Sequence, residues 1–432
     1  MKINVFWFRR DLRLEDNTAL DNALGAGLPV LPIFIFDTNI LEELPRDDAR
    51  VSFIYDNLEG IDKELKKPGS SLYVNEGDPV EVWKKLTASF DIDCVYINRD
   101  YEPYAIRRDK SVEDLLNEKG IRLLRYKDQV IFEGDEILKA DGTPYTVFTP
   151  YSKMWIRKFT QENRASSVVK YQPGDFLSLN KELPSLRELG FSGSGVKVRP
   201  PDLSVIREYH KYRNIPSAGK TSYLSPHLRF GTVSIRQMVK KARAENTVFM
   251  NELIWREFFM QILFHFPRVV TGNFRNAYDD IQWRNDEKEF ERWCNGETGY
   301  PIVDAGMRQL NETGYMHNRV RMITSGFLCK HLLTDWRWGE AYFAQKLLDY
   351  ELSSNNGNWQ WAAGTGCDAA PYFRVFNPET QQKKFDPRNE YVRKWVPEFD
   401  KPSYSKKIVD HDFARQRAIE TIKAGLKRKY RN

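Results

Sequence analysis

At 432 residues the chain is longer than one hydrophobic core usually serves, so two domains are expected. Charged residues at 29% and hydrophobic ones at 41% describe a soluble globular protein, and a formal net charge of +6 admits a nucleic-acid partner without requiring one. No apolar run is long enough for a bilayer span, and the N-terminus turns charged soon after its start, so a cytoplasmic location is expected.

From the N-terminus, INVFWF (Ile3–Phe8), VLPIFIF (Val30–Phe36), SLYV (Ser71–Val74), CVYI (Cys94–Ile97) and RLLRY (Arg122–Tyr126) read as strands. Helical patterns such as Ala49–Lys66 and Pro79–Phe90 lie between them. The alternation predicts an α/β domain over residues 1–133, a doubly wound, Rossmann-like parallel sheet with helices on both faces. No GxGxxG follows the first strand and no Walker A motif occurs, so the usual nucleotide fingerprints are missing. Residues 134–204 hold six prolines and FSGSG (Phe191–Gly195), and read as a connector wrapping the surface. From 205 to 432 the pattern is that of an all-α domain. It has helices at Met250–Phe266, at Gly306–Leu333 with one break, and at Gly339–Leu352. The basic end, IKAGLKRKYRN, reads as a solvated tail. Cys94, Cys294, Cys329 and Cys367 stand far apart and no HxxxH pair occurs, which argues for free thiols and against a metal site.

Eight of the eleven tryptophans fall between Trp255 and Trp395, which suits either core packing or stacking on bases. Four segments of this half could carry chemistry. In KTSYLSPHLRFG (Lys220–Gly231), the hydroxyls of Thr221, Ser222 and Ser225 stand at a helix start, where they suit phosphate oxygens or simply cap the helix. In NELIWRE, Glu252 and Trp255 share a helix face. A carboxyl beside an indole in an apolar setting keeps its proton and can donate to a carbonyl gaining negative charge; the alternative is a salt-bridged glutamate beside a core tryptophan. In MHNRVRM, Asn318, Arg321 and Met322 fall on one side with Arg319 turned away, the alternative being solvated arginines. In LLDYELSSNNGNWQWAAGTG (Leu347–Gly366), Asn355-Asn356-Gly357 predicts a tight turn, and Trp359 and Trp361 beyond it either floor a pocket or join the core.

WFRRDLRLEDN, NELIWREF, GYPIVDAGMRQL, MHNRVRMI and NNGNWQWAAGTG, in this order and spacing, resemble the photolyase and cryptochrome family over nearly the whole chain. The likeness is densest from Asn251 to about Asp386 and is closest to the microbial, class I enzymes acting on cyclobutane pyrimidine dimers. It implies an antenna domain followed by a helical domain that binds FAD in a U-shape. It also implies light-driven repair of UV-damaged DNA, by electron transfer from excited reduced FAD to a flipped-out dimer. A cryptochrome-type blue-light receptor without repair is the alternative.

Carried over by position, Tyr209, Thr221, Ser222, Tyr223, Leu224 and Ser225 would hold the phosphate and ribose side of FAD. Arg256, Arg321, Asp349, Glu351 and Asn355 would surround the isoalloxazine, with Asn355 facing its N5. Trp359, Trp336 and an outermost Trp293 would form the tryptophan chain that photoreduces the flavin. Glu252, Trp255, Asn318, Met322 and Trp361 would touch the dimer, and Arg213, Arg319, Gln381 and Lys384 the DNA around it. Relatives specific for (6-4) photoproducts carry histidines where Asn318 and Met322 stand, which favours the cyclobutane substrate. Two departures stand out. The family's usual Asp-x-Asp is Asp349-Tyr350-Glu351 here. Tyr104 and Ala105 replace the Asn-Glu of folate-binding relatives. That argues against a folate antenna and leaves a deazaflavin, a second flavin or no antenna pigment open. A monomer without membrane attachment is expected.

Overall fold

The computed structural model describes residues 1–162 and 171–428; the connector stretch 163–170 and the end of the basic tail, 429–432, lie outside the described residues. Tertiary contacts divide the chain into two units. The first takes residues 1–136, 156–201 and 223–244, the second 137–155, 202–222 and 245–432. The expected division at 133 and 204 therefore differs from the contacts, and the connector is no separate body. Its apolar residues decide where it belongs. Phe176, Leu189 and Phe191 bury themselves in a core of the first unit. Tyr151 and Trp155 are buried in the second unit, where the Trp155 indole donates to Glu257 at 2.6 Å. A helix over Phe148–Gln161 replaces the expected loop. Its Pro150 sits in the first turn, where a missing N–H leaves no hydrogen bond unmade.

The first unit is built on five parallel strands, β1 (Ile3–Phe8), β2 (Val30–Asp37), β3 (Tyr73–Gly77), β4 (Ile92–Asn98) and β5 (Arg122–Tyr126), in the order β3-β2-β1-β4-β5. Alternate residues of β1 and β2 serve opposite faces. Phe6, Phe8, Phe34 and Phe36 pack with the helices Thr18–Leu24 and Ala49–Lys66. Val5, Trp7, Ile33 and Ile35 pack with Pro79–Ser89 and Pro103–Glu118. Both faces are dry, which is why these strands read as continuous apolar runs.

WFRRDLRLEDN is explained here as architecture. Arg9 pairs with Asp109 at 2.5 Å, Arg10 with Asp100 and Glu102 at 3.1 Å, and Arg13 with Asp128 at 2.6 Å. Burial pushes the Asp100 carboxyl up, but Arg10, Arg229, Arg108 and Arg9 together hold it down to about 2. Removing one partner of such a buried pair would strand the other, at a cost of about 3–5 kcal/mol.

The second unit has a core in which Trp293, Tyr300, Phe327, Trp336, Phe343 and Trp359 are buried together. The Asn318–Phe327 helix continues into one π-turn, Leu328–Leu332. The turn places His331 inside, stacked on Phe327 at 4.6 Å, with Nε2 2.9 Å from Nδ1 of His411. Burial, reinforced by His411, Arg417 and Lys330, lowers the His331 ring to about 3. The unfolded chain takes up this proton near pH 6.5 and the folded chain does not. The stability due to neutral His331 is therefore intact above pH 6.5 and is lost as pH falls toward 3. The loss should reach about 2 kcal/mol at pH 5. Thermal melts from pH 8 to 4 should show this acid limb, and His331→Phe should flatten it; an unchanged limb in that variant would assign the acid sensitivity elsewhere.

Candidate functional site

Within the second unit lies a solvent-open cavity of about 100 Å³. Its wall brings together eight residues expected at the site: Asn318, Arg321, Met322, Asp349, Glu351, Asn355, Trp359 and Trp361. Phe343, Leu347 and Tyr350 add apolar surface. The Asn318–Phe327 helix supplies the first three residues, and its start is capped by His317, whose Nδ1 accepts from the Arg319 backbone N–H. Burial and the neighbouring Arg319 and Arg321 lower His317 to about 4, so the ring is a neutral acceptor at physiological pH. Arg321 grips both oxygens of Asp349, at 2.9 and 3.2 Å, while its Nε donates to Met316 O. This fork holds a cation and an anion rigidly at one edge of the cavity.

The expected turn at Asn355-Asn356-Gly357 is absent: all three lie inside a continuous helix, Leu352–Ala363. Tertiary bonds satisfy side chains that would otherwise favour a turn. Asn356 donates to Val269 O at 2.9 Å, and Asn355 Nδ2 donates to Glu340 Oε1 at 2.8 Å and to Glu340 O at 3.0 Å. Gly357 is needed for close approach rather than for turning, since a Cβ there would stand 2.2 Å from the Phe259 ring. Glu340 was not foreseen, and nothing in WGEAYF distinguishes it. Burial raises its carboxyl against the opposing bond from Asn355. Both Asn355 bonds use Nδ2, so among the described residues its Oδ1 keeps acceptor capacity.

Glu351, at the position of the family's second Asp, is buried. Its carboxylate pairs with Arg256 at 3.1 Å and accepts from Ser354 Oγ at 2.8 Å. The longer side chain is thus tied into the wall beside Asp349.

Trp359 is 2% exposed and meets Phe343 edge-on at 4.9 Å. Gly339, three residues after Trp336, presses on its ring, where a Cβ would stand 2.1 Å away. The Trp336 indole donates to Asn273 Oδ1 at 2.9 Å. Trp293 cannot be the outermost member of a chain leading to solvent. It is 0% exposed, lies 6.1 Å from Trp359, and donates its N–H to Thr324 O. Trp283 is half-buried and packs against the same core. The polar run DDIQWRNDE around it was the available signal. Trp293, by contrast, sits on the apolar face of the helix Glu287–Asn295.

Glu252 and Trp255 do not form the isolated acid-indole pair expected. Glu252 Oε1 meets Arg213 Nη1 at 2.8 Å. Burial still raises its carboxyl, outweighing Arg213. Trp255 is covered on one face by Phe148, with ring centroids 3.7 Å apart and planes 5° from parallel. Arg319 is not turned away from Met322, because Nη1 lies 3.5 Å from its sulfur. Its guanidinium also holds Asn214 at 2.7 Å and lies 4.4 Å over Phe385. Lys384 lies 5.4 Å over the same ring, is exposed, and shares the helix Pro378–Phe385 with half-buried Gln381.

Of the residues expected on the phosphate side, Tyr209, Thr221 and Ser222 belong to the second unit, and Tyr223, Leu224 and Ser225 to the first. Tyr209 meets Phe249 edge-on at 5.1 Å, and burial raises its hydroxyl. Ser222 O accepts from the Asp202 N–H. Tyr223 takes a left-handed φ of 50° and its hydroxyl accepts from Arg199.

A family model for DNA photolyase matches residues 4–168, and one for the FAD-binding domain of DNA photolyase matches residues 249–403. The deoxyribodipyrimidine photo-lyase of Synechococcus sp. is 38% identical, over 91% of this chain and 87% of that one. A class III photolyase structure from Agrobacterium tumefaciens superposes with a TM-score of 0.86 at 33% identity, covering 99% of this chain and 98% of that one. An archaeal photolyase from Sulfolobus tokodaii, solved with two FAD molecules, gives 0.82 at 35% identity over 98% and 100%. The fold and cavity thus define a flavoprotein built on an α/β unit and a helical unit. The chain belongs to the DNA photolyase family.

Proposed function

We propose that this protein is a light-driven lyase that reverses cyclobutane pyrimidine dimers in DNA, using FAD in the cavity of the second unit. The carrying observation is that one cavity joins two kinds of wall: the fork Arg321–Asp349 with Asn355, and the lesion-type surface of Asn318, Met322 and Trp361. The residues fit a flavin. Met322, Phe343, Leu347 and Trp359 offer apolar contact, Arg321 and Asp349 offer charge of both signs, and Asn355 Oδ1 offers an acceptor for a ring N–H. Tyr209, Thr221 and Ser222, which share the cavity's unit, are assigned to its phosphate and ribose side. When bound and reduced, FAD supplies the photoexcited electron that breaks the dimer's inter-base bonds.

The chain's own residues do the positioning. A dimer must leave the duplex to reach the cavity, and a damaged step unstacks at lower cost than a sound one. Trp255 and Trp361 stack against the flipped bases, worth about 1–3 kcal/mol per base. Glu252 and Asn318 bond the base edges. Arg319 and Lys384, with Gln381, hold backbone phosphates and so position without reading sequence. A strand phosphate that draws off Arg213 would remove the charge that opposes the raised Glu252 carboxyl, leaving it protonated and able to donate. Trp359, Trp336 and half-buried Trp283 form the relay that re-reduces the cofactor, ending where solvent is within reach. Trp283→Phe is therefore expected to slow photoreduction at least tenfold, about 1.4 kcal/mol or more in barrier, and Trp293→Phe to leave it nearly intact. Transient absorption checks this, and the opposite ranking would restore Trp293.

For the antenna we propose a second flavin, as the Sulfolobus tokodaii structure holds two FAD molecules. The switch point of the sheet lies between β1 and β4, where open α/β sheets take ligands. The Tyr104 hydroxyl, donating to Asp37 at 2.6 Å, is already engaged. A flavin content near two per chain would support this, and near one would not. Among the described residues no helix is long and apolar enough to cross a membrane. We propose a cytoplasmic monomer, since the cavity is completed within one chain. The deciding experiment is dimer reversal in UV-irradiated DNA by flavin-loaded protein, with and without blue light; dimers left whole in the light, with reduced flavin present, would leave the receptor alternative.

A further inference from the structure

The helix Phe148–Gln161 starts without a local cap. The residue before it is Val147, whose side chain cannot accept the orphan N–H groups of a first turn. Asp368, 220 residues along the chain, supplies the missing acceptor. Its Oδ2 takes the Phe148 backbone N–H at 3.1 Å, and its own N–H donates to Thr146 O at 3.3 Å. A carboxylate at this end of a helix is also favoured by the helix dipole.

Each end of this clamp holds one aromatic wall. On one side, the Phe148 ring lies flat on Trp255, and Phe258 stands edge-on to both, at 5.8 and 5.5 Å. Phe259 lies tilted at 5.5 Å from the same indole, and together these contacts fix its plane, while the residue as a whole stays half-buried. On the other side, Asp368 follows Trp361 by seven residues. The intervening loop is folded back on its helix, with the N–H groups of Gly364, Thr365 and Gly366 all donating to Gln360 O at 3.0–3.1 Å. A shift of the loop at Asp368 is therefore a shift of Trp361 relative to Trp255.

We propose that Asp368, together with Phe148, is a positioning pair that sets the spacing and tilt of the two indoles between which the damaged bases are held. This rests on the assignment of Trp255 and Trp361 as lesion contacts. Neither Asp368 nor Phe148 touches the reacting atoms; they act through the two tryptophans. The dimer is a rigid, kinked pair of rings, so a slot of fixed width separates it from flat, stacked pyrimidines.

The test uses the full flavin-loaded chain and a duplex carrying one thymine dimer, with the undamaged duplex as reference. Asp368→Ala and Phe148→Leu should each weaken dimer binding about tenfold, a share of the stacking energy, while affinity for undamaged DNA stays put. Asp368→Asn keeps an acceptor, and Phe148→Tyr keeps the stacked ring. Both should restore the preference for dimer to within about twofold of the parent. The flavin spectrum and its photoreduction should be unchanged throughout, because neither residue lies in the cavity wall or the tryptophan relay. If both Asp368→Ala and Phe148→Leu keep the parent's preference while only their melting temperatures drop, the pair is merely structural and the proposal falls. If the parent itself fails to prefer dimer-containing duplex, the lesion-site assignment falls instead. Phe148→Leu leaves both clamp bonds in place, so it provides the reading should Asp368→Ala not fold.

Discussion

Replacing Trp359 with Phe should cut photoreduction of the bound flavin on the order of 100-fold, yet leave repair intact in enzyme supplied with flavin already reduced. The indole is at once part of the cavity wall and a member of the buried core. It thus bridges the cofactor site and the protein interior, as Phe343 does, but of the two only Trp359 carries an indole. A phenyl ring fills much of the same space but does not give up an electron as an indole does. The packing loss should stay near 1–3 kcal/mol, because Phe343 and Gly339 still close around the smaller ring. Repair itself should not change, since Trp359 returns no electron to the dimer. Two measurements separate these effects: flash-induced flavin reduction in the oxidised variant, and dimer reversal after chemical reduction. A variant that photoreduces as fast as the parent would remove Trp359 from the relay. One that loses repair as well would show the ring is needed to seat the flavin.

Glu252→Ala should slow dimer splitting by about 100-fold, the lower end of what losing one preorganised donor to a developing negative charge costs. Flavin content should hold, as Glu252 is not among the residues lining the cavity. Its pH behaviour follows from the direction of the shift. Burial raises the carboxyl, and Arg213 opposes without cancelling it. The protonated, donating form therefore persists above the ordinary glutamate range, and repair yield should fall as pH rises through the raised value. Arg213→Ala removes the opposing charge that bound DNA already draws off, and should leave the position of that fall in the repair complex nearly unchanged. Glu252→Gln keeps an N–H donor at every pH and should flatten it. Quantum yield of repair against pH, for the parent and the three variants, checks all of this together. A yield in Glu252→Ala equal to the parent's would show that the donor is elsewhere.

Glu252 also shows how far the sequence could be read. That a carboxyl and an indole share one helix face was legible from their spacing of three. That Arg213, 39 residues earlier, reaches back to the carboxylate was not, because the short turn Tyr209–Tyr212 carries no periodic signal. The tryptophan chain divides similarly. Trp336 and Trp359 were assigned by their positions in the resemblance, and both lie in the buried core of the second unit. Trp293 was misplaced because a family resemblance gives residue type and order, while exposure depends on which helix face packs inward. At Asn355-Asn356-Gly357 local chemistry pointed to a turn, and tertiary hydrogen bonds to Val269 and Glu340 overruled it.

The strands β1 to β5 and the helices between them were fixed by local pattern, since alternation and apolar runs report burial directly. Residue type and spacing likewise determined the family and most of the cavity wall, because Asn318, Arg321 and Met322 need only one helix turn to share a face. The tertiary structure alone decided the partners. Arg213 on Glu252, Glu340 on Asn355, Phe148 on Trp255 and Asp368 on the start of the Phe148 helix all join segments far apart in the chain. No local pattern encodes such pairs, because they form only when independently folded elements pack and each buried polar group or ring must find a neighbour.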